Sequence, residues 1–109
     1  MKKPYRIKKN EEFGKIIALK QTMKSPSFFM HYNKRAEEHC RVGISVTKKL
    51  GNAVERNRIK RQVRAMLDEV LDFENFPYDL IFIVRKSYKE RSFSRNKNDL
   101  ETLLKKAII

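Results

Sequence analysis

An α+β fold, with helices packed on one mixed sheet, is expected from three features of this 109-residue chain. Two segments alternate apolar and polar residues with period two, and a third is a short, nearly continuous apolar run; these read as strands. Three other segments repeat their apolar residues at helical spacing. No internal repeat, low-complexity tract or Gly/Ser linker separates the six, and the length suits one core, so residues 1–109 are expected to form a single domain. The order is helix, strand, strand, helix, strand, helix.

Residues 1–9 are basic and polar with Pro4 near the start, and read as an extended arm in which only Tyr5 and Ile7 can pack. Phe13, Ile16 and Ile17, with Lys20, mark the first helix, with Asn10 as its N-cap and Glu11 and Glu12 in the first turn, where the helix dipole favours acids. "SPSFFMHYN" alternates, with Phe28, Met30 and Tyr32 on one side and Phe29 and His31 on the other. "NKRAEEHC" is a polar connection, and "RVGISVTKK" is the second strand, with Val42, Ile44 and Val46 on one face; a long hairpin is expected to join the two.

Gly51 ends that strand. Asn52 and Glu55 form an N-x-x-E variant of the capping box, opening a helix expected to run to about Phe73, where "NFPYD" turns the chain. "DLIFIVRK" has the composition of a central strand buried on both faces. "SYKERSFSRNKN" reads as a loop, and Leu100, Leu103, Leu104, Ala107 and Ile108 define the last helix.

Charge narrows the function. With 26 Lys and Arg against 13 acids the formal net charge is +13, and a compact body carrying that excess repels itself unless a polyanion compensates it. Nucleic acid leads the candidates. A membrane-spanning role is not expected, because the longest apolar run, Leu80 to Val84, is far below the roughly 20 residues that span a bilayer. The N-terminus lacks the apolar stretch of a signal peptide and the single cysteine, Cys40, has no internal partner, so a cytoplasmic location is expected.

The excess is concentrated in "KKLGNAVERNRIKRQVRAMLDEV", residues 48–70. On a helical wheel Ile59, Val63, Met66, Leu67 and Val70 share the core face, while Asn57, Lys60, Arg61 and Arg64 group opposite; Arg58 lies apart from that stripe. Arg56, Lys60 and Arg64 are successive (i, i+4) like-charge neighbours, each pair costing about 0.2–0.5 kcal/mol, and the acids that could alternate with them wait until Asp68 and Glu69. Cations in the first half and acids at the end also oppose the helix dipole. A merely solvated face would not need this order. A row of guanidinium and ammonium groups one turn apart suits phosphates, Asn57 adds a donor and acceptor for a base or sugar edge, and Lys48 and Lys49 extend the basic surface at the helix entrance. Phe13, Phe28 and Tyr32 are candidates for stacking on unpaired bases, against the competing expectation that aromatics at such spacing form the core.

Catalytic and metal signatures are not found. His31, His39 and Cys40 lack the spacing of a ligand set, and no P-loop, G-x-G-x-x-G turn or G-x-S-x-G elbow occurs. Three other functions are compatible with such a composition: a ribosomal-type protein binding only folded RNA, a protein-only nuclease, which would need acids converging on a metal, and a DNA-binding module, which would need a helix-turn-helix frame.

The run "RVGISVTKKLGNAVERNRIKRQVR", with Arg56-Asn57-Arg58 at its centre, resembles the signature of the bacterial ribonuclease P protein subunit, and "YRIKKNEEF" resembles that family's opening; the likeness in element order spans essentially the whole chain. The resemblance implies an α-β sandwich with a left-handed β-α-β crossover. It implies that a partner RNA, with bound magnesium, cleaves precursor tRNA to give the mature 5′ end, and that the protein is the accessory subunit of this endonuclease with no catalytic residue of its own. By the same resemblance Lys49, Arg56, Asn57, Arg58, Lys60, Arg61 and Arg64 dock on the catalytic RNA. Phe13 and Ile17 of the first helix and Tyr32 of the strand then line a cleft for the single-stranded 5′ leader; the position of Ile17 is frequently aromatic in that family.

Overall fold

The computed structural model describes residues 1–7, 10–18 and 21–108, the side chain of Asn10 excepted. The cap assigned to Asn10 and the helical position of Lys20 lie outside the described residues. Three α-helices, α1 (Asn10–Ala18), α2 (Ala53–Val70) and α3 (Phe93–Ala107), accompany four strands, β1 (Thr22–Lys24), β2 (Phe28–Lys34), β3 (Val42–Ser45) and β4 (Tyr78–Val84). The sheet order is β1-β2-β4-β3.

The expected hairpin between β2 and β3 does not form. β4 lies between them, antiparallel to β2 (Met30 opposite Phe82) and parallel to β3 (Ile44 opposite Phe82). Leu80, Ile81 and Phe82 are fully buried, so β4 needs cover on both faces and hydrogen-bonding neighbours on both edges; the central slot supplies them. Residues 35–41 carry the chain past it. Buried Asp79 fixes this connection, accepting from the Arg41 and Ala36 backbone amides at 2.9 and 3.4 Å and pairing with the Arg41 guanidinium at 3.2 Å. The parallel β3-α2-β4 unit is the crossover, built on one long helix.

The pleat divides the core. Phe28, Met30, Val42, Leu80, Phe82 and Val84 face α2 and α3, where Ile59, Val63, Met66, Leu67, Leu100, Leu103 and Leu104 meet them. Ile81 and Ile83 face the other way, toward Ile7, Phe13 and Ile16. One sheet face is therefore thickly covered by two helices and the other thinly by α1 and the N-terminal arm.

Boundaries depart from sequence expectation where a tertiary partner intervenes. The arm contains a short 3-10 turn, Lys3–Tyr5, and is pinned rather than loose: Tyr5 stacks on Phe73 with ring centroids 4.6 Å apart, and the Ile7 amide donates to the Val42 carbonyl at 3.0 Å. α2 stops at Val70 instead of Phe73, because Leu71 turns extended and Leu71 and Phe73 bury in the core. β1 was not expected; a three-residue edge strand with Met23 as its one apolar side chain leaves no periodic trace. α3 begins earlier than the apolar pattern indicates, at Phe93 behind the Ser92 cap, and a 3-10 turn, Lys86–Glu90, precedes it. The pattern misleads there because the core-facing position is polar: Asn96 is buried and donates to the Tyr88 carbonyl at 3.0 Å.

The entrance to α2 is built as expected. A 3-10 turn, Lys48–Leu50, buries Leu50 and leaves both lysines exposed; Gly51 follows with φ 134° and ψ −168°. The Asn52 side chain accepts from the Glu55 amide at 2.9 Å while Glu55 accepts from the Asn52 amide at 3.4 Å, completing the capping box. A Cβ at Gly51 would lie 2.7 Å from the Glu55 carboxyl carbon, and the backbone conformation is itself one that L side chains rarely adopt. Gly51→Ala is accordingly expected to destabilise the fold by about 1–3 kcal/mol, read as a lower urea midpoint with unchanged m-value. An unchanged midpoint would mean that neither strain nor cap matters here.

Candidate nucleic-acid interface

α2 carries its cations on the side left free by its apolar seam. Asn57, Arg58 and Arg61 are exposed, whereas Arg56, Lys60 and Arg64 are half-buried along one flank, their stems covering apolar surface. None of Lys48, Lys49, Arg56, Arg58, Lys60, Arg61 or Arg64 forms an ion pair among the described residues. The acids are engaged elsewhere: Glu12 and Asp79 on Arg41, Glu55 on Lys89 at 2.9 Å, Asp99 on Arg91 at 3.0 Å and Glu69 on Lys97. The ridge is thus a row of guanidinium and ammonium groups whose counter-ion must come from another molecule.

At the β3 edge the ridge reaches the thinly covered sheet face. Arg64 and Arg6 line one concavity of about 200 Å³ with Ile7, Phe13, Val42 and Ile44. Burial, reinforced by the positive charge of Arg6, pulls the Arg64 pKa down from its ordinary value, and the Nε atoms of both arginines are buried without a hydrogen-bond partner. Two half-buried guanidiniums sharing a hollow whose lining holds no acid are suited to an anion placed beside them.

Phe13 and Ile17 are positioned as α1 dictates. The tip of the Phe13 ring approaches β3 so closely that a Cβ at Gly43 would lie 2.4 Å from its Cζ, which is why that strand position is glycine; Ile17 is 39% exposed. Tyr32 does not join them. It falls in the same pleat phase as Phe28 and Met30, faces the α2/α3 side, and packs edge-on against Tyr78 at 5.3 Å. Phe28, the other stacking candidate, is fully buried in the core. The pleat phase of Phe13's face belongs instead to Phe29 and His31, which pair with Ile83 and Ile81. Burial lowers the His31 pKa, and its Nδ1 is 2.9 Å from the Thr22 hydroxyl, so at neutral pH the ring is an uncharged planar surface.

Phe29 introduces cations that the sequence reading missed. The Arg85 guanidinium lies 4.5 Å from its ring centroid and donates to the Ser25 carbonyl at 2.7 Å. Arg85, Lys86, Lys49, Thr47, Phe29 and Ile83 share a groove of about 410 Å³. The signal was present in the chain: β3 and β4 are each followed within a few residues by a basic pair, and once the two strands are parallel their C-terminal ends bring the pairs to the same end of the sheet. Among the described residues no three His, Cys, Asp or Glu side chains converge on a common ion position, and no described helix is long and apolar enough to cross a membrane.

A basic ridge, a thin sheet face with an aromatic floor and this strand order together have clear relatives. The family model described as Ribonuclease P matches residues 1–108. The chain belongs to the ribonuclease P protein family. It is 42% identical over 105 residues to the ribonuclease P protein component of Mesoplasma florum, covering 95% of this chain and 96% of the relative. The solved ribonuclease P protein of Staphylococcus aureus superposes with a TM-score of 0.82 at 37% identity, covering 94% of each chain. That of Thermotoga maritima gives 0.78 at 26% identity, covering 93% of this chain and 96% of the other. Membership makes the chain the protein component of the ribonuclease P ribonucleoprotein, an endonuclease, and makes an RNA its partner.

Proposed function

We propose that this family member docks on ribonuclease P RNA through the α2 ridge and holds the single-stranded 5′ leader of precursor tRNA in the cleft between α1 and the sheet, while the RNA cleaves the precursor at its mature 5′ end. The observation that carries this reading is the junction at the β3 edge, where Arg64 of the ridge and Phe13 of the cleft line one hollow. A single surface of that kind can engage two RNAs at once. Lys48, Lys49, Arg56, Asn57, Arg58, Lys60, Arg61 and Arg64 neutralise phosphates of the catalytic RNA. Phe13 and Ile17, with Phe29 and His31 in the role expected of Tyr32, offer apolar and planar faces to leader bases, while Arg85 and Lys86 accompany the backbone.

No protein group needs to act on the scissile phosphate. Leader binding converts substrate capture into a partly intramolecular step, and clustered cations lower the repulsion between two RNAs that magnesium otherwise screens. We assign the magnesium of the reaction to the RNA; Glu12, Asp79 and Asp99 of the chain are already paired with arginine, and no ligand cluster occurs among the described residues. The cytoplasm, where precursor tRNA is found, is the proposed location.

The test is cleavage of precursor tRNA by a cognate catalytic RNA at low magnesium, with and without the protein. Strong stimulation is expected. Tight RNA binding without stimulation would overturn the accessory role and leave a general RNA-binding protein.

A further inference from the structure

Arg58 sits on the flank of α2 turned away from the Arg64 hollow, toward the 3-10 turn Lys86–Glu90 and the start of α3. There it lines a groove of about 170 Å³ with Gln62, Tyr88, Lys89, Arg91 and Phe93. The volume is well below the roughly 300–1,000 Å³ of pockets for drug-sized ligands and suits one planar ring system. Phe93, the first residue of α3, is 41% exposed, and its surroundings are cationic rather than apolar. Arg58 has no acidic partner among the described residues. Lys89 is shared with Glu55 and Arg91 with Asp99, which fixes both at the rim, and the Arg91 Nε is buried without a hydrogen-bond partner. The floor is rigid and uncharged: the Tyr88 hydroxyl donates to Gln62 Oε1 at 2.8 Å, and burial raises its pKa to about 12.

An exposed aromatic ring ringed by arginine and lysine gains little from solvent and nothing from the core. It matches what an unstacked nucleotide presents, a flat base with a phosphate at one end. We infer that this groove receives a single unpaired nucleotide of the catalytic RNA, its base stacked on Phe93 and its phosphate held by Arg58 and Arg91. Tyr88 and Gln62 close the groove behind the base. The catalytic RNA is the source because the groove shares α2, through Arg58, with the docking surface and lies on the layer of the sheet opposite the leader cleft. It is a second contact, separate from the leader cleft, and it rests on the RNA-docking function proposed above.

The full-length protein and its cognate catalytic RNA test this directly. Phe93→Ala is expected to weaken binding to that RNA roughly 5- to 150-fold, as loss of one base-aromatic stack does, while Phe93→Tyr retains it. Because Phe93 is exposed, both variants should keep the wild-type urea midpoint. A photoreactive phenylalanine analogue at position 93 is expected to crosslink to one unpaired nucleotide of the catalytic RNA. Undiminished affinity in Phe93→Ala, equal losses in the alanine and tyrosine variants, or crosslinks confined to precursor tRNA would each overturn the inference. If instead the ridge variant Lys60→Ala/Arg61→Ala also binds normally, the docking function itself has failed; weakening there with Phe93→Ala unaffected removes the groove alone.

Discussion

Lys60→Ala combined with Arg61→Ala is expected to weaken binding to ribonuclease P RNA roughly ten- to thirty-fold while leaving the fold as stable as before or slightly more so. Two ion pairs with phosphate, one from exposed Arg61 and one from half-buried Lys60, account for the loss at about 1 kcal/mol each. The opposite sign for stability comes from the helix itself. Lys60 lies four residues from both Arg56 and Arg64, so its removal relieves two like-charge contacts of about 0.2–0.5 kcal/mol, and alanine is the best helix former. Neither side chain holds an acid among the described residues, so no buried partner is orphaned. The binding measurement should span a salt series, because each lost phosphate contact makes the slope of log affinity against log salt shallower by about 0.7–0.9. An unchanged slope would remove the ridge from the interface, and a large fall in stability would mean that these cations serve the fold after all.

Phe13→Ala is expected to lower affinity for precursor tRNA roughly 5- to 150-fold more than affinity for leaderless tRNA, in the holoenzyme. The ring lies over Gly43 on the thinly covered sheet face and is half-buried, so the variant also loses some stability, less than the ~3–5 kcal/mol of a fully buried phenylalanine. Tyr32→Ala separates the two effects. Tyr32 packs on Tyr78 beneath α2 and α3, so its truncation should reduce stability and leave leader discrimination intact. Equal losses for both substrates in Phe13→Ala, or a leader-specific loss in Tyr32→Ala, would sink the cleft as drawn.

The contrast between Phe13 and Tyr32 locates where sequence reading ran out. Alternation from Phe28 to Tyr32 assigned the two faces of β2 correctly, but which face meets α1 depends on β4 entering between β2 and β3. That insertion is decided by the burial demand of Leu80, Ile81 and Phe82, a property of the assembled sheet rather than of any local segment. The same event brings Arg85 and Lys86 to the end of the sheet where Lys49 lies, since parallel neighbours end on the same side. Asn96 shows the converse failure: a buried amide satisfied by the Tyr88 carbonyl breaks the apolar repeat and hides the first turn of α3.

What the sequence determined by itself was local and chemical. The capping box at Asn52 and Glu55, the glycine at 51, the apolar seam of α2 and the withholding of acids between Glu55 and Asp68 specify a basic ridge, because cap, period and charge order act within a few residues of one another. What only the tertiary structure decided was adjacency: Arg6 beside Arg64, Phe13 on Gly43, Phe29 under Arg85, Arg58 facing Phe93. Those contacts join residues far apart in the chain, and their geometry follows from strand order and pleat phase, which no short-range pattern encodes.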